Sequence, residues 1–252
     1  MFRNRFYLRN VATIVVCLAG LTVFSGCKKD KDNDPDVGDN ASKITATNVI
    51  NSSSQIVTVK AQIHWHDDDY QCQDDVIAQA PYKDNGFTLE LPATVSNKYL
   101  YLLAEEMPDV ITISDKTVNA ADIYIEAFDK DDNNIGGFYL TNNDESVYAM
   151  WYYVDKNVTI KGEYKEIYEE YDEEEIGKYD VDLKKGWNVV YWSWTESHNN
   201  STGRDVYTYT MTSQKPSGVN LSWFFEDYYD SYAVSLKSAK SLSAKKPFFT
   251  KK

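Results

Sequence analysis

The stretch "IVTVKAQIHWHDDDYQC", residues 56–72, gathers two of the chain's three histidines, three consecutive aspartates and a cysteine. On a strand, His64 and His66 sit one pleat apart on the same face, a spacing at which two imidazoles can share a metal ion. Asp67 to Asp69, or Cys72, would have to complete the shell. The third histidine, His198, lies far away in a loop-like stretch, "ESHNNSTG". A strand end running out into an aspartate-rich loop accounts for the same residues. No metal and no other cofactor is therefore expected, with His64 and His66 the pair to check. "DKDDNNIGGFYL" sets Asp129, Asp131 and Asn133 at the first three ligand positions of a calcium loop. The sixth position, which should be glycine, is Asn134, and the twelfth, which should be glutamate, is Leu140. A turn between two strands is expected there instead.

The aromatic residues carry more information. In "GWNVVYWSWT" alternation puts Val190, Trp192 and Trp194 on one face and Trp187, Val189 and Tyr191 on the other. "DVYTYTMT" sends Tyr207, Tyr209 and Met211 one way and threonines the other. A strand apolar on both faces is either buried on both sides or has one face as core and the other as a ligand platform. Exposed Trp and Tyr rings on a sheet can stack against the apolar faces of sugar rings. Trp192, Trp194, Tyr207 and Tyr209 are thus the candidate ligand-binding residues, with core packing the competing account. Which pair presents itself together depends on the register across "ESHNNSTGR", which the sequence leaves open. Catalytic patterns are missing: no GxSxG, HExxH, phosphate-binding loop or GxGxxG occurs. Among 39 acidic residues no pair is singled out for glycoside hydrolysis. A non-enzymatic module is expected.

The elements that must hold these residues read as strands. "TVKAQIHW", "GFTLEL", "ADIYIEAF", "GFYLT", "SVYAMWYYV", "NVTIKGEY", "KYDVDL", "GWNVVYWSW", "DVYTYTMT" and "VNLSWFF" are short and rich in Val, Ile, Thr, Tyr and Trp. Turn signals separate them, including the Asn85-Gly86 pair, "DKDDNNIGG", "KKG" and "KPSG". This pattern predicts one all-β domain over residues 44–225, mostly antiparallel, as a sandwich or barrel. An acidic excursion near 165–177, within "EYKEIYEEYDEEEIGK", breaks the pattern. Tyr164, Ile167, Tyr168 and Tyr171 fit helical spacing, and a long solvated hairpin fits the stretch equally. Residues 226–252 end in a lysine-rich stretch without acids and are expected to be disordered.

The first 26 residues read as a secretory leader. Arg3, Arg5 and Arg9 precede an apolar run of 14 residues, Val11 to Phe24, short of the ~20 needed to span a bilayer. Residues 27–43, "CKKDKDNDPDVGDNASK", hold too little apolar surface to fold and are expected to be a flexible tether. Without residues 1–26 the chain keeps 23 basic against 39 acidic residues, a formal charge of −16. That argues against nucleic acid and against electrostatic attachment to anionic lipid. Once Cys17 leaves with the leader, Cys72 has no disulfide partner beyond Cys27.

"LTVFSGC" resembles the lipobox of bacterial lipoproteins, with Phe24 where leucine is usual. The resemblance implies that Cys27 is acylated and becomes the mature N-terminus, so that the membrane is a partner through acyl chains. The charged run after Cys27, with "NGFTLELPATVSNKYL" and "LKKGWNVVYW", resembles uncharacterised β-rich lipoproteins of the Bacteroidota. It implies an outer-membrane address, on the cell surface or the periplasmic face, and supplies no substrate. The expectation is a lipid-anchored binding or structural module, with a glycan as ligand. A protein-contact subunit for adhesion or surface assembly is the alternative. Metal or haem capture and glycoside hydrolysis rank behind both.

Overall fold

The computed structural model describes residues 41–66 and 72–228. Cys27 with the leader and the tether up to residue 40, Asp67 to Asp69, and the lysine-rich tail lie outside the described residues; Lys43, expected in the tether, is the first residue of a strand.

The chain is all-β. It starts with β1 (Lys43–Ala46), β2 (Thr58–His66), β3 (Cys72–Pro81) and β4 (Phe87–Glu90). Short pieces follow: β5 (Tyr101–Leu102), β6 (Thr112–Ile113) and β7 (Asn119–Asp122). The longer strands are β8 (Tyr124–Phe128), β9 (Asn134–Thr141), β10 (Val147–Val154), β11 (Val158–Tyr168), β12 (Glu173–Leu183), β13 (Gly186–Asn199), β14 (Arg204–Thr212) and β15 (Ser222–Asp227). Among the described residues the helical segments are single 3-10 turns at Asn97–Tyr99 and Leu103–Glu105. β15 carries the body two residues past the expected boundary at 225.

β1 and β4 form a separate antiparallel pair. The main sheet runs β3-β2-β8-β9-β10-β13-β14-β12-β11-β6, with β15 beside β9, β7 beside β10 and β5 beside β7. Between the named strands every pairing is antiparallel except β12 with β14. That parallel contact arises because β14 folds back between β13 and β12.

The acidic excursion is a hairpin, not a helix. β11 and β12 pair without interruption from Val158–Leu183 to Tyr168–Glu173. Alternation serves the tyrosines as well as helical spacing did, since Tyr164 and Tyr168 share one strand face. Three cross-strand ion pairs offset the acid load: Lys161 with Asp180 (3.1 Å), Lys165 with Glu174 (2.7 Å) and Lys178 with Glu163 (3.9 Å).

The Asn85-Gly86 signal marks a real turn, displaced by one residue. Lys83 and Gly86 exchange both backbone hydrogen bonds, at 2.9 and 3.0 Å, around Asp84 and Asn85. Both central residues have positive φ, 53° and 58°, as a tight hairpin turn requires. Gly86 serves a different need. A Cβ there would lie 2.2 Å from the carbonyl oxygen of Ala46, so only glycine lets β1 approach this closely.

Two apolar clusters hold the body together. The larger one includes Ile44, Ile63, Phe87, Leu89, Phe138, Leu140, Trp151 and Trp223. Trp223, 2 % exposed, lies nearly parallel to Trp151 at 5.7 Å and edge-on to Phe87 at 5.4 Å. Its indole N–H donates to the carbonyl of Thr45 at 3.1 Å. One side chain thus ties β15 to β10, β4 and β1. The second cluster gathers Leu103, Val118, Val154, Val158, Ile160, Val181 and Val190. β10 and β13 separate the clusters: Trp151, Tyr153 and Tyr191 pack into the first, Val154 and Val190 into the second.

Candidate functional site

Directly paired residues on neighbouring strands project from the same sheet face. Following the pairs across the sheet therefore shows what each face carries. One row runs Tyr148, Trp192, Met211, Tyr179 across β10, β13, β14 and β12. The next runs Trp194, Tyr209, Gly177, Tyr164 across β13, β14, β12 and β11. A third holds Glu196, Tyr207, Glu175 and Glu166. All four sequence candidates, Trp192, Trp194, Tyr207 and Tyr209, thus fall on one face. Each is partly exposed.

The same face is core at one end and open at the other. Where Val154, Val190 and Val181 point outward, the segments carrying Leu103, Ile111, Ile113 and Val118 pack over them. Further along the strands the cover ends, and large aromatics take the place of valine. The rings of Trp192 and Tyr209 are nearly parallel (23°) at 5.6 Å, and Tyr148 leans against Trp192 at 6.0 Å. Tyr139 meets Tyr148 edge-on at 6.3 Å. Tyr164 lies directly over Gly177, where a Cβ would fall 1.9 Å from the ring, and its hydroxyl donates to Glu175. The indole N–H of Trp194 donates to the carbonyl of Glu145 at 3.0 Å. That of Trp192 has no hydrogen-bond partner among the described residues.

Phenols and carboxyls interleave along this face. Burial pushes the hydroxyl of Tyr139 up to about 12, with the charge of Glu226 adding to the effect. Tyr148 is raised by burial and then by Glu145 and Glu226, and Tyr152 by burial and then by Asp122. These groups stay neutral at any physiological pH and act as hydrogen-bonding phenols.

The histidines are placed differently from one another. His64 Nδ1–H donates to Asp74 across the β2–β3 pair, and its ring packs on Tyr124 at 4.3 Å. Burial holds its pKa below the ordinary histidine value, so the ring is neutral at pH 7. His66 stands opposite Cys72 at the strand end. Among the described residues no group of three or more His, Cys, Asp or Glu side chains is arranged to hold a metal ion. His198 is not in a loop: β13 continues through it, and Nδ1 meets the Asp205 carboxylate at 2.8 Å across the pair with β14. In the calcium-like stretch the Asp129 carboxylate accepts the backbone N–H groups of Asp131 and Asn133, both at 2.9 Å, and so closes a turn.

Sequence reasoning missed Asp122, Tyr124, Glu126 and Gln62. The alternation of "ADIYIEAF" puts Asp122, Tyr124 and Glu126 on one face, a legible signal, but acids alternating on a strand ordinarily mean solvent. Here Glu126 is 7 % and Gln62 8 % exposed. No protein-family model, curated protein or solved structure matches this chain, and the case for its function rests on the geometry of this face.

Proposed function

We propose that this protein is a non-enzymatic, lipid-anchored module of the outer membrane that binds a glycan across the Trp192–Tyr209 face. The observation that carries the reading is the shared, partly exposed face of Trp192, Trp194, Tyr207 and Tyr209, continued by Tyr148, Tyr179 and Tyr164. A contiguous aromatic surface left in contact with water marks an interaction site. Near-parallel rings offer flat apolar area to the C–H faces of pyranoses, and phenols with the indole N–H of Trp192 supply hydrogen bonds at the edges. The acylated Cys27 would hold the protein at the membrane while the tether lets the domain reach away from it. Glycan-array screening of the purified chain, followed by Trp192→Ala and Tyr209→Ala, tests this. Binding that both substitutions abolish supports it; binding that both leave intact refutes it.

A second reading rests on β3, which among the described residues pairs with β2 alone. Its outer edge therefore offers backbone donors and acceptors to a partner strand, and Val76 beside it is 44 % exposed. A pull-down with a specific protein partner lost on Val76→Lys, with no glycan bound, would favour the protein-contact role.

A further inference from the structure

The two faces of the β11–β12 hairpin carry their charges differently. Lys161, Lys165 and Lys178 lie on the face turned away from the rings, where each meets an acid. On the ring side Glu166, Glu175 and Glu196 stand in one row with Tyr207. Glu145 and Glu226 lie close enough to Tyr148 to raise its hydroxyl. Among the described residues no lysine or arginine forms an ion pair with any of these five carboxylates. The three rows that carry the rings hold no basic side chain. Aromatic area rimmed by uncompensated negative charge suits an occupant that is both cationic and partly apolar.

The chain itself leads such an occupant to the face. Phe225 and Phe138 pair on the core side of β15 and β9, which leaves Glu226 and Gly137 on the outer side. Tyr228, the last described residue, turns back over that outer side. Its hydroxyl donates to Glu126 at 3.3 Å and lies 3.1 Å from where a Cβ on Gly137 would stand. The Tyr139 hydroxyl lies 3.0 Å from the same point. From Tyr139 the ring contacts run on through Tyr148 and Trp192 to Tyr209. That path is about 20 Å, which roughly six extended residues cover at ~3.3 Å each. Residues 229–252 follow Tyr228, 24 positions with six lysines against one acid, Asp230. Leu236, Leu242, Phe248 and Phe249 are spaced among the lysines.

Resting on the reading of this face as a platform, we propose that residues 229–252 fold back from Tyr228 across it, as an intrachain occupant that a glycan must displace. The lysines answer Glu145, Glu175 and Glu196 and lie over the rings, and the leucines and phenylalanines cover apolar ring area. A segment tethered this close works at a high effective concentration, so contacts that are weak singly suffice to hold it. Displacement makes binding selective: a ligand must outcompete the segment, not merely find exposed rings.

The test is zero-length carbodiimide coupling of lysines to carboxylates in the full chain, with the joined pairs read by mass spectrometry. Lys237, Lys240, Lys245 and Lys246 should couple to Glu145 and Glu196 in preference to Glu90 and Glu105, acids equally exposed elsewhere. The preference should be roughly fivefold, the worth of one exposed ion pair at the upper end of its range. In about 1 M salt, where the screening length falls to about 3 Å, it should weaken. Changing the four lysines to glutamine in the full chain should also raise acrylamide quenching of tryptophan fluorescence. That rise should vanish in a Trp192→Phe background. Coupling spread evenly over all four acids, or quenching that the glutamines leave unchanged, overturns the docked segment and leaves the platform standing. Coupling confined to covalent dimers assigns the segment to a second copy and overturns the intrachain contact. Docking that is found while a glycan array gives no hit with the glutamine variant keeps this inference and overturns the glycan reading instead.

Discussion

Truncating two tryptophans, one at a time, separates core from platform. Trp223 is 2 % exposed, stacked on Trp151, edge-on to Phe87 and hydrogen-bonded to Thr45. Trp223→Ala should therefore cost about 3–5 kcal/mol, the usual range for a fully buried aromatic. A domain of this size loses roughly 2–4 °C of melting temperature per kcal/mol, so the midpoint should fall by about 6–20 °C. Trp192 is partly exposed, its indole N–H has no partner among the described residues, and its ring neighbours there are Tyr209 and Tyr148. Two aromatic contacts of about 0.5–1.5 kcal/mol each, discounted for exposure, give about 1–2 kcal/mol for Trp192→Ala. Urea denaturation followed by circular dichroism reads both values, and unchanged slopes show that the transition itself is unaltered. If Trp192→Ala costs as much as Trp223→Ala, the Trp192 ring belongs to the core and the platform reasoning fails.

Glu126 should govern part of the pH dependence of stability. Its pKa is raised in the folded state, so its stabilising contribution is complete below the ordinary glutamate value and is lost as pH rises through the folded value. Stability curves of the parent and Glu126→Gln should therefore diverge as pH rises above the ordinary glutamate value, with only the parent losing this contribution; parallel curves would show that burial does not perturb the group. Gly86→Ala should cost about 1–3 kcal/mol, because the new methyl meets the Ala46 carbonyl rather than a movable side chain, and a neutral result would mean β1 does not pack here. Cys27→Ala should abolish fatty-acid labelling and release the protein from membranes; a variant that keeps its label, or stays bound with its leader removed, contradicts acylation at that residue.

What could be read in advance was whatever depends on period two. Phe87 and Leu89 point inward and Thr88 and Glu90 outward, as alternation requires. Trp192 and Trp194 share one face, and Tyr207 and Tyr209 share another segment of that face, for the same reason. What could not be read depends on contacts distant in the chain. Alternation says that β13 is apolar on both sides but cannot say what covers each side. That is decided by Leu103, Ile111, Ile113 and Val118, some 70 to 90 residues earlier, which close over Val190 and stop short of Trp192. The pairing of Trp194 with Tyr209 follows from β13 continuing to Asn199, through a polar stretch that looked like a loop.

The acidic hairpin was ambiguous because Tyr164, Ile167, Tyr168 and Tyr171 suit a helix by local spacing. The sheet decides it: β12 pairs with β11 on one side and β14 on the other, and a helix would leave the β14 edge bare. That decision also makes the binding face, since β12 brings Gly177 beside Tyr209 and β11 lays Tyr164 over Gly177. Had the segment been helical, the aromatic rows would end at β14. The residues least promising for chemistry, a run of glutamates and tyrosines, thus extend the platform by two strands. The histidine pair that first suggested chemistry ends at its edge, with His64 packed on Tyr124 and neutral.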